Sequence, residues 1–182
     1  MIHGKTVLAV IPARGGSRRC PRKNLRPFRG TPLICLSLEA ARNSKYIDRL
    51  VVSTEDEEIK VLTKGWGGEV LDRPEELATD TASSEDVLRH ALAIYPHHWV
   101  VLLQPTSPLR TTEDVDGTIE RAQMGYGCYS FDRSTGHMNG AVYVATAEWI
   151  ATNDFGWKPA LMRYPMPAER SLDIDREEDF SA

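Results

Sequence analysis

Unbroken apolar runs and stripes of helical period alternate along this chain. Residues 7–11, Val-Leu-Ala-Val-Ile, are continuously apolar and bounded by Pro12, the pattern of a parallel strand covered on both faces. Thr31 is placed to cap a helix with Pro32 at its first position, and Leu33, Ile34, Leu38 and Ala41 then recur at helical spacing. A second strand is expected at 50–53, a helix at 55–64 stopped by Gly65, and a short strand at 69–71. Ser83 with Asp86 reads as a capping box opening a helix at 85–94, and 99–103 as the next buried strand. Thr111 with Asp114 repeats the capping pattern for a helix reaching residue 124 or so. Further strands are expected at 127–131, 140–145 and 161–164, with Asp175 capping a last short helix. This alternation, with no internal repeat or low-complexity linker, predicts one α/β domain over 1–182: an open, mostly parallel twisted sheet with helices on both faces. In such a sheet the ligand lies beyond the carboxyl ends of the strands. Segments 14–24, 73–84 and 104–110 each follow a predicted strand, so they should meet at one edge.

A net charge of −4 over 182 residues argues against a general nucleic-acid binder and makes any basic cluster a local device. The apolar run ahead of Arg14 is too short for a signal peptide, and no segment approaches membrane-spanning length. Cys20, Cys35 and Cys128 are odd in number and widely spaced, which indicates neither a disulfide framework nor a zinc site. The expected setting is a reducing cytoplasm, without membrane or nucleic-acid partners.

The basic cluster lies in the segment after the first strand. Gly15 and Gly16 allow backbone N–H groups to approach a polyanion, and Arg14, Arg18, Arg19, Arg22, Lys23, Arg26 and Arg29 follow with no acidic residue between them. The segment is neither a Walker A loop nor a dinucleotide fingerprint, but it suits a nucleoside triphosphate. Gln104, Thr106 and Ser107, stiffened by Pro105 and Pro108, offer neutral hydrogen-bonding groups for a base or sugar; a plain strand-to-helix turn is the competing reading. Asp173 and Asp175, two apart in an extended segment, turn both carboxylates to one face, with Leu172 and Ile174 on the other. Such a pair suits Mg²⁺ shared with substrate phosphates, against the alternative of a capping Asp beside a solvated carboxylate. The acidic run 55–58 reads as the first turn of a helix, where negative charge complements the dipole.

Taken in order, Ile-Pro-Ala-Arg-Gly-Gly-Ser17 with Lys23-Asn24, Arg73-Pro with Leu77-Ala and Asp80, Leu103-Gln-Pro-Thr-Ser-Pro-Leu-Arg110, Asn139-Gly-Ala-Val-Tyr143 and Glu169-Arg-Ser-Leu-Asp-Ile-Asp175 resemble the CMP-sialic acid synthetases, or acylneuraminate cytidylyltransferases. The resemblance implies a Rossmann-like nucleotidyltransferase fold and transfer of CMP from CTP to a sialic-acid-like or other 2-keto-3-deoxy sugar acid, releasing pyrophosphate. It implies that Ala13, Arg14, Gly15, Gly16, Ser17, Lys23 and Asn24 hold the nucleotide, with Arg73, Ser83 and Gln104 around it. Gln104, Ser107 and Arg170 would face the acceptor. Asp173 and Asp175 would bind Mg²⁺ and, with Arg14 and Lys23, carry catalysis.

Two departures qualify these expectations. Where the family has a long excursion that helps bind the sugar and builds the dimer, only 132–138 precede Asn139, and Arg19 and Cys20 replace a usual Gly and an aliphatic residue. The nucleotide half is thus expected intact and the acceptor half reduced. A different, smaller acceptor and a catalytically weak nucleotide-binding protein are the alternatives. A homodimer would be weaker than in the family, or built through another surface such as that near Trp149 and Trp157.

Overall fold

The computed structural model describes residues 1–17, 20–155 and 160–182. Its main sheet has seven strands: β1 (Val7–Pro12), β4 (Arg49–Thr54), β5 (Glu69–Asp72), β6 (Trp99–Leu103), β7 (Gly127–Asp132), β8 (Met138–Thr146) and β9 (Met162–Met166). They lie in the order β5-β4-β1-β6-β8-β7-β9. The pairs β5–β4, β4–β1, β1–β6 and β7–β9 are parallel, whereas β8 runs antiparallel to both β6 and β7. The carboxyl ends of all strands except β8 therefore share one edge.

The unbroken apolar run of β1 exists because both sheet faces are covered. Val7, Ala9 and Ile11 enter one core with Ile34, Cys35 and Leu38 of α1 (Leu33–Arg42), Ile59 of α2 (Glu57–Gly65) and Val115 and Ile119 of α4 (Thr112–Ala122). Leu8 and Val10 enter the opposite core with Val87, Leu88 and Ala91 of α3 (Ser84–Ile94) and with Trp149 and Ile150 of α5 (Ala147–Thr152). Every residue from Val7 to Ile11 is fully buried, and each large side chain so placed contributes roughly 1.5–3 kcal/mol of transfer free energy. All the expected strands and the four longer helices are present, with boundaries shifted by a few residues.

Local chemistry departs from expectation at four helix ends. Thr31 does not cap α1, because Thr31–Pro32 form β3, a short antiparallel partner of β2 (Pro27–Phe28), and the first helical N–H, of Leu33, is satisfied by the Arg26 carbonyl at 3.0 Å. Gly65 is the last residue of α2, not its stop; the chain turns at Gly67, φ 69°, where the Gly68 N–H returns to the Thr63 carbonyl. Ser83 does cap α3, accepting the Asp86 N–H at 3.1 Å, but the reciprocal bond runs from its hydroxyl to the Asp86 carboxylate. Thr111 and Asp114 form the full capping box. The last 3-10 turn, Glu177–Ser181, is organised not by Asp175 but by Asp179, whose carboxylate accepts the N–H groups of Asp175 and Arg176 at 2.8 Å each. Cys20, Cys35 and Cys128 are buried free thiols.

Two helical glycines differ in what surrounds them. A Cβ on Gly117 would overlap the ring of Tyr164, which carries β9 against α4, whereas Gly65 has open space around it. We expect Gly117→Ala to destabilise the protein by about 1–3 kcal/mol through overpacking. Gly65→Ala should leave stability unchanged or raise it by up to about 1 kcal/mol. Denaturant unfolding of the two variants checks the opposite signs.

Candidate active site

The parallel edge carries a cleft of about 330 Å³ where the segments after β1, β5 and β6 converge. A fourth segment joins them from β9: residues 172–175 run back across the edge, fixed by the Ile174 N–H on the Thr106 carbonyl at 2.8 Å. Ile174 is fully buried and packs with Phe28, Leu33 and the partly buried Leu172. The alternation expected of this segment follows, with Asp173 and Asp175 both lining the cleft.

Within the loop after β1, the cations divide. Arg14 and Lys23 line the cleft; Lys23 donates to the Ile174 carbonyl at 2.9 Å and lies 3.7 Å from an Asp175 oxygen. Arg22, at φ 56°, instead forks onto Asp56 at 2.5 and 3.2 Å and reaches Glu58 at 2.7 Å. Arg26 pairs with Glu177 and stacks over Phe180, and Arg29 lies over Phe28. Arg18 and Arg19 lie outside the described residues. The expected array of seven phosphate-facing cations is thus reduced, because acids distant in sequence claim Arg22 and Arg26. Arg14 itself donates to Asp80 across the cleft at 2.5 Å.

The two loop glycines also have different reasons. The Gly15 N–H is donated to Glu55 at 2.7 Å, and a Cβ on Gly15 would overlap the Asp56 carboxylate. Gly15 is required by protein packing. Gly16 faces open space, so with Ser17 it is the part of the loop that a ligand can approach. Asn24 ties the loop's return by donating to the Arg14 carbonyl at 2.9 Å, and Ala13 is buried beneath the cleft with its N–H on the Ser53 carbonyl.

Arg73 follows β5 and is only 7% exposed, held by the Ser53 hydroxyl at 3.2 Å and the Ser53 carbonyl at 2.6 Å. Burial lowers its pKa to about 10, with Glu55 opposing that shift and Arg14 adding to it. Ser83 and Ser84 present the start of α3 to the cleft, and Gln104 and Thr106 contribute from the turn after β6. Burial also pushes the Asp173 carboxyl above the ordinary aspartate range, partly opposed by its bond with Thr106 and by Lys23.

Arg14, Gly16, Ser17, Lys23, Asn24, Arg73, Ser83, Gln104, Asp173 and Asp175 are therefore brought together, with Ala13 and Gly15 supporting them from below. Ser107 and Arg170 are not. The Ser107 side chain is buried away from the cleft with no hydrogen-bond partner among the described residues, and Arg170 is bidentate to the buried Asp114 at 2.9 and 2.8 Å. Their expected acceptor contacts are corrected to packing and an ion pair that anchors the segment after β9 on α4. Thr106, expected as a neutral hydrogen-bonding group, also lines the cleft; Asp80 and Ser84 do so although no role was assigned to them, since each lies within a segment singled out in the sequence but nothing in the pattern distinguished its orientation.

Known proteins similar to this chain identify its family. Residues 8–140 match the cytidylyltransferase family model. The chain is 33% identical to the N-acylneuraminate cytidylyltransferase of Escherichia coli O18:K1:H7 over 96% of its own length, and spans half of that protein. It is 31% identical to the pseudaminic acid cytidylyltransferase of Campylobacter jejuni, over 95% of this chain and 92% of that one. Both alignments run over more positions, 211 and 216, than the chain has residues, so each relative carries stretches without a counterpart here. Among solved structures, a CMP:2-keto-3-deoxy-manno-octonic acid synthetase complexed with CTP superposes with a TM-score of 0.75 at 16% identity, covering 97% of this chain and 95% of that one. A nucleotidyl transferase from Methanothermobacter thermautotroptrophicus superposes at 0.74 and 17%, covering 98% and 95%. These two likenesses concern the fold. By the match across residues 8–140 and the likeness along nearly all of the Campylobacter protein, the chain belongs to the cytidylyltransferase family, the family of the acylneuraminate cytidylyltransferases.

Proposed function

We propose that this chain transfers CMP from CTP to a sugar acid and releases pyrophosphate. The observation that carries the reading is the convergence, in one cleft, of two cations from the loop after β1 with a carboxylate pair delivered from the segment after β9. In the reaction an acceptor hydroxyl oxygen bonds to the α-phosphorus and loses its proton, while the bond from the α-phosphorus to the bridging oxygen breaks and its electrons leave with pyrophosphate. Lys23, Arg14 and Arg73, which line the cleft, would neutralise the transferring and departing phosphates. Gly16 and Ser17 offer backbone to the triphosphate, and Gln104 offers a neutral group to base or sugar. Release of pyrophosphate that requires both CTP and a sugar acid, measured across a panel of acids and triphosphates, tests the proposal.

Mg²⁺ fits the residues present. Asp173 and Asp175 are hard oxygen donors on one wall of the cleft, a donor set suited to a hard divalent cation. Among the described residues no three acidic, His or Cys side chains cluster as a closed metal cage, so the remaining ligands would be phosphate oxygens and water. When bound there, the ion would withdraw charge from the phosphates.

A second reading, transfer to a smaller acceptor, is favoured by the turn between β7 and β8. Residues 133–137 close it directly, with Asp132 accepting from the Ser134 N–H and hydroxyl at 2.7 Å each and Gly136 at φ 74°. Nothing from that turn enters the cleft. The acceptor side therefore lacks a wall. The same shortness favours a weak dimer or a different surface. No helix of the described residues is long and apolar enough to cross a membrane, which is compatible with a cytoplasmic enzyme.

Asp175→Asn should fold normally, because the side chain is half exposed, yet lose turnover by about a hundredfold or more at limiting Mg²⁺, corresponding to roughly 3 kcal/mol. Near-normal turnover would overturn the metal assignment. Gly16→Ala should keep the parental melting temperature but bind CTP about tenfold more weakly, since the added methyl stands where phosphate approaches. Gly15→Ala should lose both stability and binding. On the acceptor side, a nine-carbon sugar acid should show a high KM with little loss of kcat, because missing wall contacts weaken binding without changing the chemistry of a bound complex. Steady-state kinetics with N-acetylneuraminate separates the two constants.

A further inference from the structure

The corner between β4 and α2 puts no side chain among those lining the cleft, yet each of its four residues holds a piece of it. Ser53 receives the Arg73 guanidinium and the Ala13 N–H, and Thr54 receives the Arg73 N–H at 3.0 Å. Glu55 receives the Gly15 N–H, and Asp56 receives Arg22 while capping α2 through the Ile59 N–H. Glu55 differs from the acids after it. It lies before the helix, partly buried, and turns back toward the loop after β1, whereas Glu57 and Glu58 are exposed in the first helical turn. Its second carboxylate oxygen is buried without a hydrogen-bond partner among the described residues. A carboxylate thus lies beneath the loop after β1, close to the cations there.

We propose that Glu55 is a positioning residue: its carboxylate sets the curvature of the phosphate loop through the Gly15 N–H and supplies the counter-charge for the buried Arg73. The inference rests on the reading of the cleft as a CTP site. With the Gly15 N–H directed inward, the loop turns Gly16 and Ser17 outward to the cleft. The charged groups acting on Arg73 are Glu55 from the corner after β4 and Arg14 from the loop after β1, and Arg14 is itself paired with Asp80. Because burial holds the Arg73 pKa at about 10, loss of the Glu55 charge lowers it further, so the guanidinium loses its proton at a lower pH. Glu57, exposed and paired with Lys60, provides a control for charge at the helix start.

The test compares Glu55→Ala, Glu55→Gln and Glu57→Gln with the parent. Amide hydrogen exchange without ligand should speed up at Gly15 by about tenfold in Glu55→Ala and by less in Glu55→Gln, which keeps a neutral acceptor. CTP affinity, read by calorimetry, should fall about tenfold in Glu55→Ala, while CMP affinity and the melting temperature change little. Both Glu55 variants should move the alkaline loss of CTP affinity to lower pH by the same amount, since both remove the charge. Parental exchange at Gly15 in Glu55→Ala, or the same changes in Glu57→Gln, would overturn the proposal. So would equal losses for CTP and CMP with a falling melting temperature, the result of a merely structural role. If the parent itself binds no CTP, the reading of the cleft fails, and the exchange experiment still decides the role of Glu55.

Discussion

A buried guanidinium with no carboxylate bonded to it holds the centre of this structure. Arg110 is 5% exposed and donates to the Gln104 carbonyl at 3.1 Å, the Ala141 carbonyl on β8 at 2.6 Å and the Ser37 hydroxyl on α1 at 2.5 Å. Its burial is costly and lowers its pKa to about 10, partly opposed by the nearby Asp114 charge, while the neutral acceptors satisfy the two terminal nitrogens. In return the turn after β6 is tied to the strand and the helix that flank it. That turn carries Gln104 into the cleft and offers the Thr106 carbonyl on which Ile174 docks. The position of Asp173 and Asp175 is therefore set two hydrogen-bonded steps away from them.

The positive loop shows how tertiary contacts sort a cluster of like charges. In sequence, Arg14, Arg22, Lys23, Arg26 and Arg29 are equivalent cations in one run. In the fold, Asp56, Glu58 and Glu177 approach from elsewhere and convert Arg22 and Arg26 into struts, leaving Lys23 and Arg14 at the cleft. Such exposed pairs add little stability individually, and their consequence here is geometric. They hold a mainly irregular segment in one shape without using the groups that face the ligand.

Much of this arrangement is legible in the residues. The strands were visible because burial on both faces demands unbroken apolar runs, and Ser83 and Thr111 announced their helices because an orphaned N–H needs an acceptor. The convergence of the loops after β1, β5 and β6 followed from parallel topology alone. What escaped was whatever depends on a partner distant in sequence. Arg170 looked like a ligand-facing cation until Asp114 was seen against it, and Glu55 looked like a helix charge until Gly15 was seen above it. Ser107 shares a motif with Gln104 but points into the protein, an orientation that no spacing encodes. Gly15 was expected to open its backbone to a polyanion, but its N–H is donated to Glu55 and the space beside it is taken by Asp56.

Lys23 and the carbonyl of Ile174 are 151 positions apart, and their hydrogen bond closes the cleft between the loop after β1 and the segment after β9. A contact at that separation is entropically expensive to form in an unfolded chain and gains its free energy only once the sheet between the two ends exists. The cleft therefore has no partial version: half of the fold offers only half of its lining. By mass action the converse holds too: any ligand spanning Lys23 and the two aspartates would cross-link the loop after β1 to the segment after β9, drawing its stabilisation from the three strands between them.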